Sequence, residues 1–183
     1  MPEFKTDEIV SFLSQLLQID TTNPPGNETE AAKLVAEKLS ELGFSGQVLE
    51  SEPGRGNVIA KVEGSEPGPT LLLLSHLDVV PAKPSKWKHH PFSGLIKNGY
   101  IWGRGAIDCK GLVAVELFAF ADLASREGIK GTLIFAATAD EEKGGAKGVG
   151  WLIKNKPDSV SYTHLRAHET EADLVCRLLL AKK

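Results

Sequence analysis

Near the start of the chain the apolar residues Ile9, Val10, Phe12, Leu13, Leu16, Leu17 and Ile19 recur at helical spacing, which predicts an amphipathic helix from Asp7 to Ile19. The following TTNPPG, Thr21 to Gly26, cannot extend it, because two prolines remove amide donors and bias the residues before them to extended geometry. Asn27 with Glu30 three residues on offers a cap for a second helix, carried by Leu34, Val35 and Leu39 and stopped at Gly43. Short runs then follow at Gln47–Glu50, Asn57–Val62 and Thr70–Leu77, separated by the turns EPGRG and GSEPGP, and these read as strands. The run TLLLLSHL is apolar at successive positions, as expected of a strand covered on both faces at the centre of a sheet.

A long irregular stretch from Val79 to Gly105 leads to a helix from about Lys110 to Arg126 and an apolar strand from Thr132 to Ala139. Strand, crossover helix and strand in that order predict an α/β fold, a three-layer α-β-α sandwich around a mostly parallel sheet. In such sheets ligands gather beyond the carboxyl ends of the strands. From about Ser159 the text changes to a basic pattern at helical spacing, SVSYTHLRAHETEADLVCRLLLAKK. This tail resembles a translated tract found at the ends of truncated environmental sequences. Residues 1–158 are therefore expected to form the functional unit, and residues 159–183 are set aside as an artefactual, non-family tail.

The 183 residues suit one domain, and 42% hydrophobic with 25% charged residues is ordinary globular composition. A net charge of −3 without a basic patch argues against a nucleic-acid partner. Cys109 and Cys176 are too few and too scattered for a disulfide framework or a thiolate zinc knuckle. The N-terminus lacks a signal-peptide pattern, and the longest apolar tract falls far short of the roughly 20 residues of a membrane span, so a cytoplasmic protein without a membrane partner is expected.

Three polar clusters follow strands or open helices. His76 and Asp78 in SHLD can point the same way, so that the aspartate holds the imidazole as outer carboxylates do for metal-bound histidines; taken alone, His-x-Asp also fits a structural histidine. Asp108 follows GRGAI, where its carboxylate could serve a site or simply cap the next helix. Asp140, Glu141 and Glu142 follow the apolar strand directly; adjacent carboxylates repel unless a cation is present, although acidic runs are also commonly just solvated. Jointly these clusters form a divalent-metal set of imidazole and carboxylate oxygens, which suits zinc and also cobalt or manganese. The GRGAID segment lacks the third glycine of a dinucleotide fingerprint, and no phosphate-binding Gly-Lys-Ser/Thr occurs.

SHLDVVP, then W-x-x-x-P-F-S-G from Trp87, GYIWGRGAIDCKG from Gly99 and TADEEKGG from Thr138 resemble, in order and approximate spacing, the M20 family of metallopeptidases and amidohydrolases. The resemblance runs from the first helix to about Pro157 and implies a zinc-exopeptidase-like fold. It implies that His76 binds one metal ion, Asp108 bridges two, Glu142 binds the other, Glu141 is the general base and Asp78 orients His76. The implied reaction is amide hydrolysis: a water between the ions loses its proton to Glu141, attacks the carbonyl, and Glu141 protonates the leaving nitrogen. Implied substrates are small peptides and N-acyl amino acids. Cys109 occupies a variable position, where a small buried residue is expected.

The family's further acidic ligand, final histidine and dimerising lid have no counterpart here, so the fold is expected to be incomplete, the chain inactive as given, and its parent a homodimer. A non-catalytic metal-binding or interaction domain that keeps the core fold is the alternative. His164 and His168 stand at an i, i+4 spacing but lack the glutamate that a metalloprotease helix carries, and a solvated helix face is expected there instead. Trp87, Trp102 and Trp151 are expected to pack in the core or at its rim.

Overall fold

The computed structural model describes residues 4–159 and 164–167. Helices α1 (Thr6–Gln18) and α2 (Glu28–Glu41) precede strands β1 (Gly46–Glu50), β2 (Gly56–Glu63) and β3 (Glu66–His76). A small hairpin, β4 (Leu95–Lys97) and β5 (Tyr100–Trp102), leads to α3 (Lys110–Ala124), β6 (Lys130–Thr138), the short α4 (Val149–Asn155) and β7 (His164–Ala167).

The main sheet has the order β1-β2-β6-β3-β7. Strands β6, β3 and β7 are parallel, whereas β2 runs antiparallel to both of its neighbours, so every strand but β2 points the same way. The unbroken apolar runs of β3 and β6 are explained by what covers them. Leu133, Phe135 and Ala137 of β6 face the core shared with α1, α2 and α3, while Ile134 and Ala136 face a smaller cluster with Ile59, Leu72 and Leu152 under α4. Both faces are dry, so period-two alternation is lost and only β-branched and aliphatic bulk remains as a signal. No helix among the described residues is long and apolar enough to cross a membrane.

Four sequence expectations change. Asn27 takes the N-cap position of α2 without a side-chain cap bond; the orphan amide of Thr29 is satisfied instead by Gly54 O at 3.1 Å. Asp108 does not cap α3, because the helix begins at Lys110 with Cys109 in the cap position. The stretch read as irregular contains the β4–β5 hairpin, turning through Asn98 (φ 54°) and Gly99 (φ 78°). Within the tail, residues 164–167 form a strand paired with β3 rather than a helix, and His168 lies outside the described residues. A parallel strand added to β3 satisfies backbone groups that an isolated basic helix would not.

Candidate metal and catalytic site

Strands β3 and β6 lie side by side, parallel and in register, with His76 opposite Thr138 at their carboxyl ends. The register therefore delivers SHLD and TADEE to the same place. Leu77 N donates to Thr138 O at 2.7 Å, which carries the pairing one step beyond the strands. The third contributor, Asp108, arrives from the turn before α3. Gly105, at φ +87°, makes that turn possible, since a Cβ there would stand 2.8 Å from Val79 Cγ1. Lys110, fully buried, anchors the start of α3 to the end of α1 by donating from Nζ to Leu16 O (3.1 Å) and Ile19 O (2.7 Å). Helix α1 has no basic residue in its own last turn, so this ammonium meets the negative end of its dipole. Burial pulls the Lys110 ammonium down to about 8, against the opposing charges of Asp20 and Glu28.

His76 Nδ1 faces the backbone carbonyl of Asp78 at 3.0 Å, with the Asp78 carboxylate 3.5 Å away. That leaves Nε2 directed to Asp108 Oδ1 at 3.1 Å and Glu141 Oε2 at 3.7 Å. Burial alone would lower the imidazole, but hydrogen bonds with Asp78 and Cys109 and their charge outweigh it and push His76 up to about 12. Asp78 is fully buried and does more than face the ring: Oδ1 accepts from Glu141 N (3.0 Å) and Oδ2 from Glu142 N (3.1 Å) and Asn23 Nδ2 (2.8 Å). Burial would raise it, yet His76, Asn23 and the Glu142 amide together hold its carboxyl below the usual range. Burial raises the Glu142 carboxyl; His76 opposes, and the neighbouring charges of Asp108, Asp78 and Glu141 add to the rise.

Two donor groups result, both containing His76: one with Asp108 and Cys109, the other with Glu141 and Glu142, each with its ligand atoms within 4.8 Å of one another. Imidazole and carboxylate donors bind zinc at about 2 Å, so two ligands of a common ion lie roughly 3–4 Å apart. The separation of 3.1 Å from Nε2 to Asp108 falls in that range, and Glu142 offers a carboxylate oxygen within 4.8 Å of the same imidazole, so the donor set fits a divalent cation. Cys109 is the small buried residue expected: its Sγ donates to His76 O at 3.2 Å and accepts from His76 N at 3.1 Å, and burial raises its thiol. A shallow pocket beside Glu141 is lined by Thr138, Ala139, Gly144, Gly145 and Val149. None of the tryptophans lines it: Trp87 lies under the Arg104 guanidinium, Trp102 meets His89 edge to face, and Trp151 packs on the smaller core.

Two residues beside the site are absent from the sequence reading: Asn23 sits in TTNPPG and Arg55 in a turn of glycines. Asp140, which the sequence places in the acidic cluster, turns its carboxylate to meet both Asn23 and Arg55. The loop is drawn in because Thr21 Oγ1 donates to Leu77 O (2.7 Å) and Asn23 N to Val79 O (2.9 Å), setting Asn23 against Asp78. The available signal was an asparagine followed by two prolines, a segment whose backbone leaves side chains to do the bonding.

The profile of Peptidase family M20/M25/M40 matches residues 72–176, more than half of the chain. The chain is 37% identical over 146 residues to an N-formyl-4-amino-5-aminomethyl-2-methylpyrimidine deformylase of Bacillus subtilis, covering 76% of this chain and 34% of that protein. It is 35% identical over 151 residues to a succinyl-diaminopimelate desuccinylase of Xanthobacter autotrophicus, covering 78% of this chain and 39% of the relative. Among solved structures, an M20 family metallo-carboxypeptidase from Sulfolobus solfataricus superposes with a TM-score of 0.75 at 28% identity, over 87% of this chain and 37% of that one. The chain thus spans less than two fifths of the length of each of these relatives. Motif order, strand-end placement and matched profile agree, and the chain belongs to the M20/M25/M40 peptidase family.

Proposed function

We propose that this chain is part of a two-metal hydrolase of amide bonds in small peptides or N-acyl amino acids, with His76, Asp108 and Glu142 as metal ligands, Glu141 as general base and Asp78 orienting His76. The observation that carries this reading is a single imidazole nitrogen, Nε2 of His76, facing Asp108 at 3.1 Å and Glu141 at 3.7 Å beyond the ends of two parallel strands. Zinc suits the donor set best, with cobalt or manganese as alternatives. Such ions, when bound, supply Lewis acidity to the carbonyl and lower the pKa of the attacking water towards about 7.

Glu141 stands half-exposed with its amide fixed on Asp78, so its carboxylate can take the water's proton and return it to the leaving nitrogen. Asp78 holds the imidazole and both glutamate amides as one unit. A deformylase, a desuccinylase and a carboxypeptidase among the relatives support hydrolysis that releases an acyl group or a terminal residue. Turnover is assigned to the whole protein, which we take to be cytoplasmic and homodimeric. The chain alone, spanning less than two fifths of these relatives, is expected to bind metal without turnover, as a non-catalytic metal-binding domain would.

The test is metal content by plasma mass spectrometry on the purified chain, beside Asp108→Ala and a chain ending at Pro157. Zinc or cobalt that is retained by the shortened chain and lost with Asp108→Ala is the expected result. A chain without metal, or an Asp108→Ala variant that keeps it, overturns the reading.

A further inference from the structure

Behind the two glutamates lies a connected set of buried polar residues to which amide hydrolysis assigns no part. Arg55 grips Glu28 through two parallel bonds, Nε to Oε2 at 2.8 Å and Nη2 to Oε1 at 2.9 Å. The same Nη2 donates to Asp140 Oδ1 at 2.9 Å. Asn23 Nδ2 reaches both Asp78 Oδ2 (2.8 Å) and Asp140 Oδ1 (3.2 Å), and Lys147 N closes the set on Asp140 Oδ2 at 3.1 Å. Arg55, Asn23 and Asp140 are 5%, 2% and 5% exposed, so none of these bonds is a solvated surface contact.

Asp140 adopts φ 68°, a left-handed conformation that costs a residue with a side chain about 1 kcal/mol or more and persists only where surrounding contacts over-determine it. This turn is what directs the amides of Glu141 and Glu142 at Asp78 while their carboxylates approach His76. Gly26 lies directly against the guanidinium on its outer side: a Cβ there would stand 2.5 Å from Arg55 Cζ.

We propose that Arg55 and Asn23 are positioning residues of the metal site: by holding Asp140 in its left-handed turn they fix where the Glu141 and Glu142 carboxylates stand relative to His76. The inference rests on the metal-site reading above and adds to it two residues that lie outside the proposed ligands and base. An ordinary fold-stabilising ion pair would affect unfolding alone. A positioning pair affects how well the folded protein holds metal, and loss of such outer partners weakens affinity by roughly 10- to 100-fold.

The test is a Co2+ titration of the full chain followed by visible absorption, repeated with Arg55→Lys, Asn23→Ala and Phe120→Leu. Arg55→Lys keeps the charge and removes the two-pronged grip, Asn23→Ala leaves every charge in place, and Phe120, buried against Phe44 and Phe135 away from the site, supplies a destabilised control. In both positioning variants we expect affinity to fall by about 10-fold or more with a changed absorption band, and in Phe120→Leu an unchanged affinity per folded molecule. Variants that bind Co2+ as the parent does, or a control that loses affinity equally, overturn the positioning role and leave the metal site standing. A parent that takes up no Co2+ overturns the metal site and this inference together.

Discussion

Glu116 is a carboxyl in the wrong surroundings. It lies on α3 and is 5% exposed, and neither its Oε2 nor the nearby Ser75 Oγ has a hydrogen-bond partner. Burial raises it from 4.5 to about 7, and the Ser75 hydroxyl, close by but not aligned for a hydrogen bond, offsets only part of the rise. A carboxyl raised in the folded state holds its proton more tightly there than in the unfolded chain. The folded state therefore loses stability as pH climbs from 4.5 through about 7, and the loss is complete above that. At about 1.4 kcal/mol per unit the full cost is about 3.5 kcal/mol, and roughly 2.5 kcal/mol of it falls between pH 5 and pH 8. Glu116→Gln keeps the shape and removes the ionisation. Urea unfolding at pH 5 and pH 8 should show the variant within about 1 kcal/mol of the parent at pH 5 and about 3 kcal/mol more stable at pH 8. A variant less stable than the parent at pH 8, or a parent and variant with parallel pH profiles, would refute the argument that burial governs this group.

Gly148→Ala should cost about 2 kcal/mol or more in urea unfolding, since a Cβ there meets Ala139 O at 1.9 Å and backbone must move; a cost below about 0.5 kcal/mol would mean that this turn yields freely. Cys109, buried and with its thiol raised, should react with iodoacetamide at pH 8 at least about 100-fold more slowly than free cysteine in a Cys176→Ser background, and labelling at a free-thiol rate would contradict its burial beside His76.

What could be read from the sequence divides by the range of the interactions involved. Helix α1 announces itself because its stripe Phe12, Leu13, Leu16 and Leu17 is the buried face, a local pattern with a local cause. Strands β3 and β6 were legible as apolar runs, and their parallel pairing followed from the helix between them. The β4–β5 hairpin carries a strong turn signal in Asn98-Gly99 between LIK and YIW, but strands this short establish no period. The candidate site residues are legible as motifs placed at strand ends. Asn23 and Arg55 are not, because their contacts with Asp78 and Asp140 exist only in three dimensions, where a loop before α2, a turn before β2 and the residue after β6 meet. No spacing rule links positions so far apart.

The same geometry changes the role of Asp78. Read from SHLD, it orients one imidazole; in the fold its two oxygens accept from Asn23 Nδ2 and from the amides of Glu141 and Glu142, and only its 3.5 Å approach to Nδ1 concerns the ring. The two roles predict different behaviour of Asp78→Asn. If orientation were all, an amide oxygen could still face the ring, and the metal-free fold would lose little. A clamp behaves otherwise. Oδ1 and Oδ2 both meet N–H donors, so whichever way the asparagine is turned, its NH2 opposes one of them and leaves that donor unpaired at a buried position. A buried unpaired donor costs about 1–3 kcal/mol. Metal-free Asp78→Asn should therefore unfold with a stability loss of about 2 kcal/mol, measured in urea with chelator present, before any question of catalysis arises. A metal-free variant as stable as the parent would return Asp78 to the single task of holding His76, and with it the rigidity attributed to the two-glutamate turn would have to come from Asp140 alone.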